Sequence, residues 1–326
     1  MRSFKSIQFN QEKIVFAIAV VMFVIFSVTL KGFLTSGNVV TLVQSVSILG
    51  VLGIGMALTI IGRGIDLSMV ATMVISVAWV LSLANHGLAL PLAILYGLGL
   101  SLAVGLINGI LIAFIEIPAI FATLAMGTVV YGFGHAALVE SDVIFLPKAI
   151  PWFKAIGGSS VAGIPSPVLW FAIFAVLAFL FLHVTRPGRF IYGMGDNPQA
   201  ARIAGIPSRP MMVLQYVISS LIGFAAGVVT ATLVDSMNTR VAASTLVYDV
   251  ILVVAIGGVG LSGGKGSIRN VIVGTLLIGI LLNGMTILDM PYTFQNIVKS
   301  VILLIAIVTD SILNPRDEQT SQQGDI

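Results

Sequence analysis

Cysteine is absent from all 326 residues, which removes disulfides, thiolate metal sites and cysteine nucleophiles. Charge is scarce: 9% of the residues are Asp, Glu, Lys or Arg, against about 25% in ordinary soluble domains, while 58% are hydrophobic. A chain this poor in charge is not a soluble globular protein. The alternation of polar and apolar residues over about ten positions that marks a transmembrane β-strand is also missing. No apolar run carries the repeated arginines of a voltage sensor or a row of acids suited to proton relay, which argues against an ion-coupled carrier. His86, His135 and His183 share no metal-ligand spacing, and no Ser-His-Asp or paired-carboxylate arrangement offers an active site. An intramembrane enzyme therefore lacks a catalytic set.

Long apolar runs fill the chain instead. A helix crosses a bilayer with about 20 apolar residues, and ten stretches qualify: 14–30, 40–61, 68–84, 88–115, 119–139, 167–184, 211–234, 246–261, 268–288 and 294–312. The expected fold is all-α, a polytopic membrane protein of about ten helices in one domain, 1–326, with tails at 1–13 and 313–326. The first run follows Arg2, Lys5 and Lys13 but exceeds a signal core and lacks a small-residue cleavage site, so it reads as a retained span. With the N-terminus cytoplasmic, Arg2, Lys5, Lys13, Arg63, Arg186, Arg189, Arg202, Arg209, Lys265, Arg269 and Arg316 fall inside, and Lys31, Lys148, Lys154 and Arg240 outside. This asymmetry places both termini in the cytoplasm by the positive-inside rule. It also accounts for the pI near 9.3 without nucleic acid.

The remaining polar residues are the places where function can reside. IGRGIDLSM (61–69) interrupts apolar sequence with Arg63, Asp66 and two glycines. Asp66 can cap the helix that follows, its carboxylate accepting from backbone N–H groups at a positive helix end, and the spacing allows Arg63 to partner it. Two placements stay open: a cap at the cytoplasmic rim, or a turn that dips into the membrane beside a pathway. GGVGLSGGKGS (257–267) is a second break. It superficially matches a phosphate loop, but Val259 stands where that loop needs Gly and Gly266 where it needs Ser or Thr. Paired broken helices point to a transport pathway. Asp249 and Lys299 are the charges deepest in the apolar runs; Glu116, Asp235, Asp289 and Asp310 sit near run ends. Asn108, Thr123 and Asn283 lie beside small residues, suited either to bonding across helices or to a polar pathway. In the basic loop 185–210, Asn197 is a good N-cap, Pro198 fits the first helical position, and Gly205 with Pro207 stops the helix. So short a helix is not stable alone and makes sense when something docks on it. The stretch 140–166, with Glu140, Asp142, Pro147, Trp152, Gly157 and Pro165, is the largest outer loop.

Four stretches in order carry a resemblance: GIDLS (64–68), IPAIFATLAMG (117–127), GDNPQAARIAGI (195–206) and GGVGLSGGKGSIRNVIVGTLLIGILLNGM (257–285). Together they resemble the permease subunits of bacterial ABC importers for simple sugars, of the ribose, xylose and galactose type. A branched-chain amino-acid permease is distantly similar in architecture. The chain departs from the sugar pattern at Met69, Val70, Tyr131, Asn270, Val271 and Leu282. The resemblance implies a pore-forming subunit in the bacterial inner membrane, paired with a second permease subunit in a homo- or heterodimer. Two ATPase cassettes would bind ATP and Mg, leaving this chain without a cofactor or ATPase site of its own. A periplasmic sugar-binding protein would deliver the solute. It further implies that Asn197, Pro198, Ala200, Ala201, Arg202, Ala204 and Gly205 couple to the ATPase, so that a bulky charge at Ala201 or Gly205 abolishes uptake. Gly64, Asp66, Ser68, Asn108, Thr123 and Asn283 are the candidates for the pathway or its gate.

Overall fold

The structure, a computed structural model, describes residues 11–147 and 150–313. Arg2, Lys5, Lys148 and Arg316, and the expected tails apart from 11–13 and 313, lie outside the described residues. All ten apolar runs become helices. In chain order they are α1 (Gln11–Thr29), α2 (Ser36–Ile61), α3 (Met69–Asn85), α4 (Leu90–Ala113) and α5 (Ala119–Phe133), the last continued by a π-helical turn at Gly134–Leu138. A short strand β1 (Val143–Phe145), helix α6 (Pro151–Gly158) and the hairpin β2 (Ser160–Val161) and β3 (Ile164–Pro165) precede α7 (Ser166–Val184). Two short helices follow, α8 (Arg186–Asp196) and α9 (Pro198–Ile203). Then come α10 (Ser208–Leu233), β4 (Ser236–Asn238), a 3-10 turn at Thr239–Ala243, α11 (Leu246–Gly257), α12 (Ile268–Ile287) and α13 (Tyr292–Leu313).

The expectation of ten full spans needs one correction. Among the described residues eight helices are long and apolar enough to cross a membrane, while α3 has 17 residues and α11 only 12. At 1.5 Å per residue α11 extends about 18 Å, well short of a hydrocarbon core of about 30 Å. The run expected over 246–261 stops at Gly257 because Gly258 turns left-handed at φ 97°, its N–H bonding Ala255 O and the Val259 N–H bonding Val254 O. A side chain at 258 would be strained in that conformation, so glycine ends the helix where hydropathy alone continues it. The other refinement is the outer loop. It is folded, with β1 paired antiparallel to β4 (Ile144 opposite Met237) and α6 packed on α10.

α2, α3 and α10 form the centre, with α4, α7, α11 and α12 around them and α1 and α13 outermost. From Leu49 to Ile61 every residue of α2 is buried, whereas α1 and α13 expose most of their side chains. Lipid is as apolar as leucine, so close backbone approach rather than hydrophobic burial holds such helices together. Gly105 and Gly109 of α4 show it: added Cβ atoms would stand 2.8 Å from Val217 Cα and 2.6 Å from Val213 Cα of α10.

The contacts sort the connections into two ends. At one, Arg209 pairs with Glu116 (2.9 Å) and the 258–267 loop meets the end of α2. At the other, Lys154 pairs with Asp235 (2.6 Å) and Arg240 with Asp142. Arg63 and Arg209 thus share one end, and Lys154 and Arg240 the other.

Candidate pathway node and coupling helix

The α2–α3 turn is built by what covers it. Gly62 and Gly64 are glycine because α10 leaves no room: a Cβ at Gly62 would overlap Gln215 Oε1, and one at Gly64 the Tyr216 hydroxyl. Arg63 takes a left-handed conformation (φ 70°) and its Nε donates to Ser262 O at 3.1 Å, across to the second broken turn. Asp66 is fully buried. Its Oδ1 accepts from the Ser68 N–H (3.1 Å) and the Ser68 hydroxyl (2.6 Å), and its Oδ2 from the Ser219 hydroxyl of α10 (2.7 Å). Asn108 Nδ2 of α4 donates to Ser68 Oγ at 2.8 Å. Thr123 of α5 accepts from the Leu67 N–H at 3.1 Å, and its hydroxyl lies 3.1 Å from Ile65 O. Three helices, α4, α5 and α10, therefore converge on the turn between α2 and α3.

Asp66 receives the N–H of Ser68, the residue that precedes α3, and it does so enclosed by protein rather than exposed at a rim. Arg63 bonds Ser262 of the second broken turn, while the side chain of Asp66 bonds Ser68 and Ser219. Gly64, Asp66, Ser68, Asn108 and Thr123 come together as one node; Asn283 does not. Asn283 exchanges two hydrogen bonds with Asn38 of α2 (3.0 and 2.9 Å), fastening α12 to α2. Asn283→Leu is expected to lower stability by about 0.5–2 kcal/mol, the range for bonds between membrane helices, and to leave uptake intact. Thermal unfolding in detergent beside a transport assay checks both.

α10 contributes buried polar residues that no sequence motif marks. Gln215, Tyr216, Ser219 and Ser220 are all buried, a polar turn and a half inside an apolar helix. The spacing of Gln215 and Ser219, four apart, is the signal that could have found them. Asn108 Oδ1, Gln215 Oε1 and Ser220 Oγ have no hydrogen-bond partner among the described residues.

The 185–210 loop holds α8 and α9 end to end. Thr185 Oγ1 accepts from the Gly188 N–H to cap α8, and Asn197 Oδ1 accepts from the Ala200 N–H (2.9 Å) to cap α9. Gly205 closes α9 at φ 77°. Of the residues assigned to coupling, Pro198 and Ala201 face inward, while Asn197, Ala200, Arg202, Ala204 and Gly205 are exposed. Ile203 is 89% exposed, an apolar side chain standing out from its helix. A charge at Ala201 would therefore test packing, and a side chain at Gly205 would strain the turn. Ile203 is the cleaner probe of docking.

In the second broken turn, Gly263, Gly264 and Gly266 have φ of 88°, 71° and 123°. The Tyr192 hydroxyl of α8 donates to Gly266 O at 2.7 Å, and burial pushes its pKa above the ordinary tyrosine value, which keeps the donor proton in place. Asp249 and Lys299 pair at 2.8 Å, joining α11 to α13, with Thr245 and Tyr292 alongside. Lys299 thus pairs inside the protein. Among the described residues no three His, Asp or Glu form a metal-holding group.

Residues 38–307 match the family model described as branched-chain amino acid transport system / permease component. The ribose import permease protein of Escherichia coli K12 is 29% identical over 95% of this chain and 96% of its own. The galactofuranose transporter permease protein of the same organism is 33% identical over 84% of this chain and 80% of its own. The L-arabinose ABC transporter permease protein of Azospirillum brasilense is 32% identical over 89% and 84%. No solved structure matches.

Proposed function

We propose a function from one premise: the chain belongs to the branched-chain amino acid transport system / permease component family. It is a pore-forming subunit of an ATP-driven importer that moves a sugar across a membrane. The observation that carries the sugar is that relatives named for ribose, galactofuranose and arabinose match over most of the chain at 29–33% identity. On this reading the membrane is the bacterial inner membrane and both termini are cytoplasmic. A second permease subunit completes the pore, two ATPase cassettes bind ATP and Mg, and a periplasmic binding protein presents the sugar. The absence of a Walker A sequence at 257–267 supports leaving hydrolysis to the cassettes.

Within that assembly α9 is the docking helix. The node at Asp66 is a gate element rather than a lining: its side chains are buried, so they act by holding α3, α4, α5 and α10 in register. A gate of this kind needs two arrangements that the cassettes favour unequally. The test is reconstitution with the cognate ATPase and binding protein in proteoliposomes, with radiolabelled monosaccharides outside and leucine as the competing substrate. ATP-dependent sugar uptake is the expected result. Uptake of leucine alone overturns the substrate class, and uptake driven by an ion gradient without ATP overturns the importer.

Ile203→Glu is expected to weaken ATPase docking at least ~10-fold. Burial of an isoleucine contributes ~1.5–3 kcal/mol, and 1.4 kcal/mol is tenfold in affinity. Co-purification of the cassette with the inserted permease measures it.

A further inference from the structure

Three backbones meet at the end of the molecule that carries α9. The Gly264 N–H of the second broken turn donates to Ile61 O, the last carbonyl of α2, at 2.8 Å. Gly195 of α8 lies directly over that bond: a Cβ there would overlap Ile61 O and stand 2.5 Å from Gly264 N. The approach is reciprocal, since a Cβ on Gly264 would stand 2.6 Å from both Asp196 N and Asp196 Cα. Arg63 Nε reaches Ser262 O (3.1 Å), and the Tyr192 hydroxyl reaches Gly266 O (2.7 Å). A simple connection between α11 and α12 needs none of these contacts. Here the loop is instead folded onto α2 and α8.

The junction sits at a particular place in the chain. Asp196 ends α8 and Asn197 caps α9, so a single residue separates the docking helix from the junction. On the far side each backbone leads into the membrane. Ile61 closes α2 and is followed at once by the turn holding Asp66; Ser267 precedes α12. Backbone pressed on backbone transmits displacement, because no flexible side chain lies between to absorb it.

We propose that Gly195 and Tyr192 are positioning residues of a relay, which joins α9 to the inner ends of α2 and α12 and, through residues 62–68, to the Asp66 node. This rests on the reading of α9 as the ATPase docking helix. A push on α9 moves α8; α8 carries both broken turns with it, because Gly195 and Tyr192 hold them to one surface. Asp66, Ser68 and Ser219 then receive the displacement at the start of α3.

The test uses the complete reconstituted importer and reads ATP hydrolysed per sugar imported. Gly195→Ala wedges a methyl into the Ile61–Gly264 contact. It is expected to raise that ratio about fivefold or more, the low end of couplings measured between sites. Tyr192→Phe removes one hydrogen bond and keeps the ring, and is expected to raise it in the same direction by less. A purely structural role would reduce the amount of complex and leave the ratio unchanged. Wild-type ratios in both variants overturn the relay. Where Gly195→Ala fails to assemble, Tyr192→Phe decides by itself. Ile203→Glu run in parallel separates the two levels. If it binds the cassette and transports normally, the docking reading fails; if it loses the cassette while both relay variants keep the wild-type ratio, only the relay fails.

Discussion

Asp66→Ala is expected to abolish uptake and to destabilise the permease by about 3 kcal/mol or more, since each buried donor left unpaired costs about 1–3 kcal/mol. The substitution strands the Ser68 N–H, the Ser68 hydroxyl and the Ser219 hydroxyl at once, and both residues are buried. It also frees the N–H of Ser68, the residue at which α3 begins. Asp66→Asn keeps the shape and one acceptor oxygen. Its loss should be smaller, about 1–2 kcal/mol, because hydrogen bonds to a neutral acceptor are weaker than those to a carboxylate. Thermal unfolding of the purified variants, with uptake measured in the same proteoliposomes, orders the two. Wild-type stability and transport in Asp66→Ala would end any role for the node. The chain has no native cysteine, so Asp66→Cys offers a clean second readout. A membrane-impermeant thiol reagent applied from the inner face should leave it unlabelled, because position 66 is enclosed by α4, α5 and α10. Labelling at the rate of a surface thiol would place the turn at an open rim.

Lys299→Met should cost about 3–5 kcal/mol, the penalty for breaking a buried ion pair and leaving one charge behind. The charge left is Asp249, 9% exposed and with its oxygens bound to Lys299 at 2.8 and 2.9 Å. Among the described residues α11 is the main attachment of α13, and this pair is a buried ionic link between them. The double variant Asp249→Leu/Lys299→Met is expected to recover most of the loss, since two apolar side chains leave nothing uncompensated. A double-mutant cycle on unfolding temperature measures the coupling. Equal losses in the single and double variants would show that packing, not the pair, holds α13.

These two sites differ in how far the chain announced them. Lys299 and Asp249 stand out in any hydropathy scan because each is a charge in an apolar run, yet 50 residues separate them. Asp66 was legible as a polar break from its position before an apolar run and after glycines. Its depth was not, because depth depends on Gln215, Tyr216 and Ser219, which carry no motif and sit about 150 residues away. The length of α11 was misjudged for a related reason. Hydropathy continues through Val259 and Leu261, while the left-handed turn at Gly258 ends the helix first. Ala201 and Ile203 show the same limit at small scale: both fit a short helix, and only its packing shows which one faces outward.

The sequence by itself determined the class of the protein, its apolar helices and the two glycine-rich breaks. All of these follow from local composition, since a bilayer imposes its length and polarity on each segment separately. Tertiary structure decided which breaks touch, that Asp66 is enclosed rather than at a rim, that Asn283 braces two helices, and that Gly195 bears on both α2 and the second turn. Between helices in lipid there is little hydrophobic drive to leave a periodic trace in the sequence. Neighbours are chosen by small residues and single hydrogen bonds, and those become visible only when the backbones are brought together.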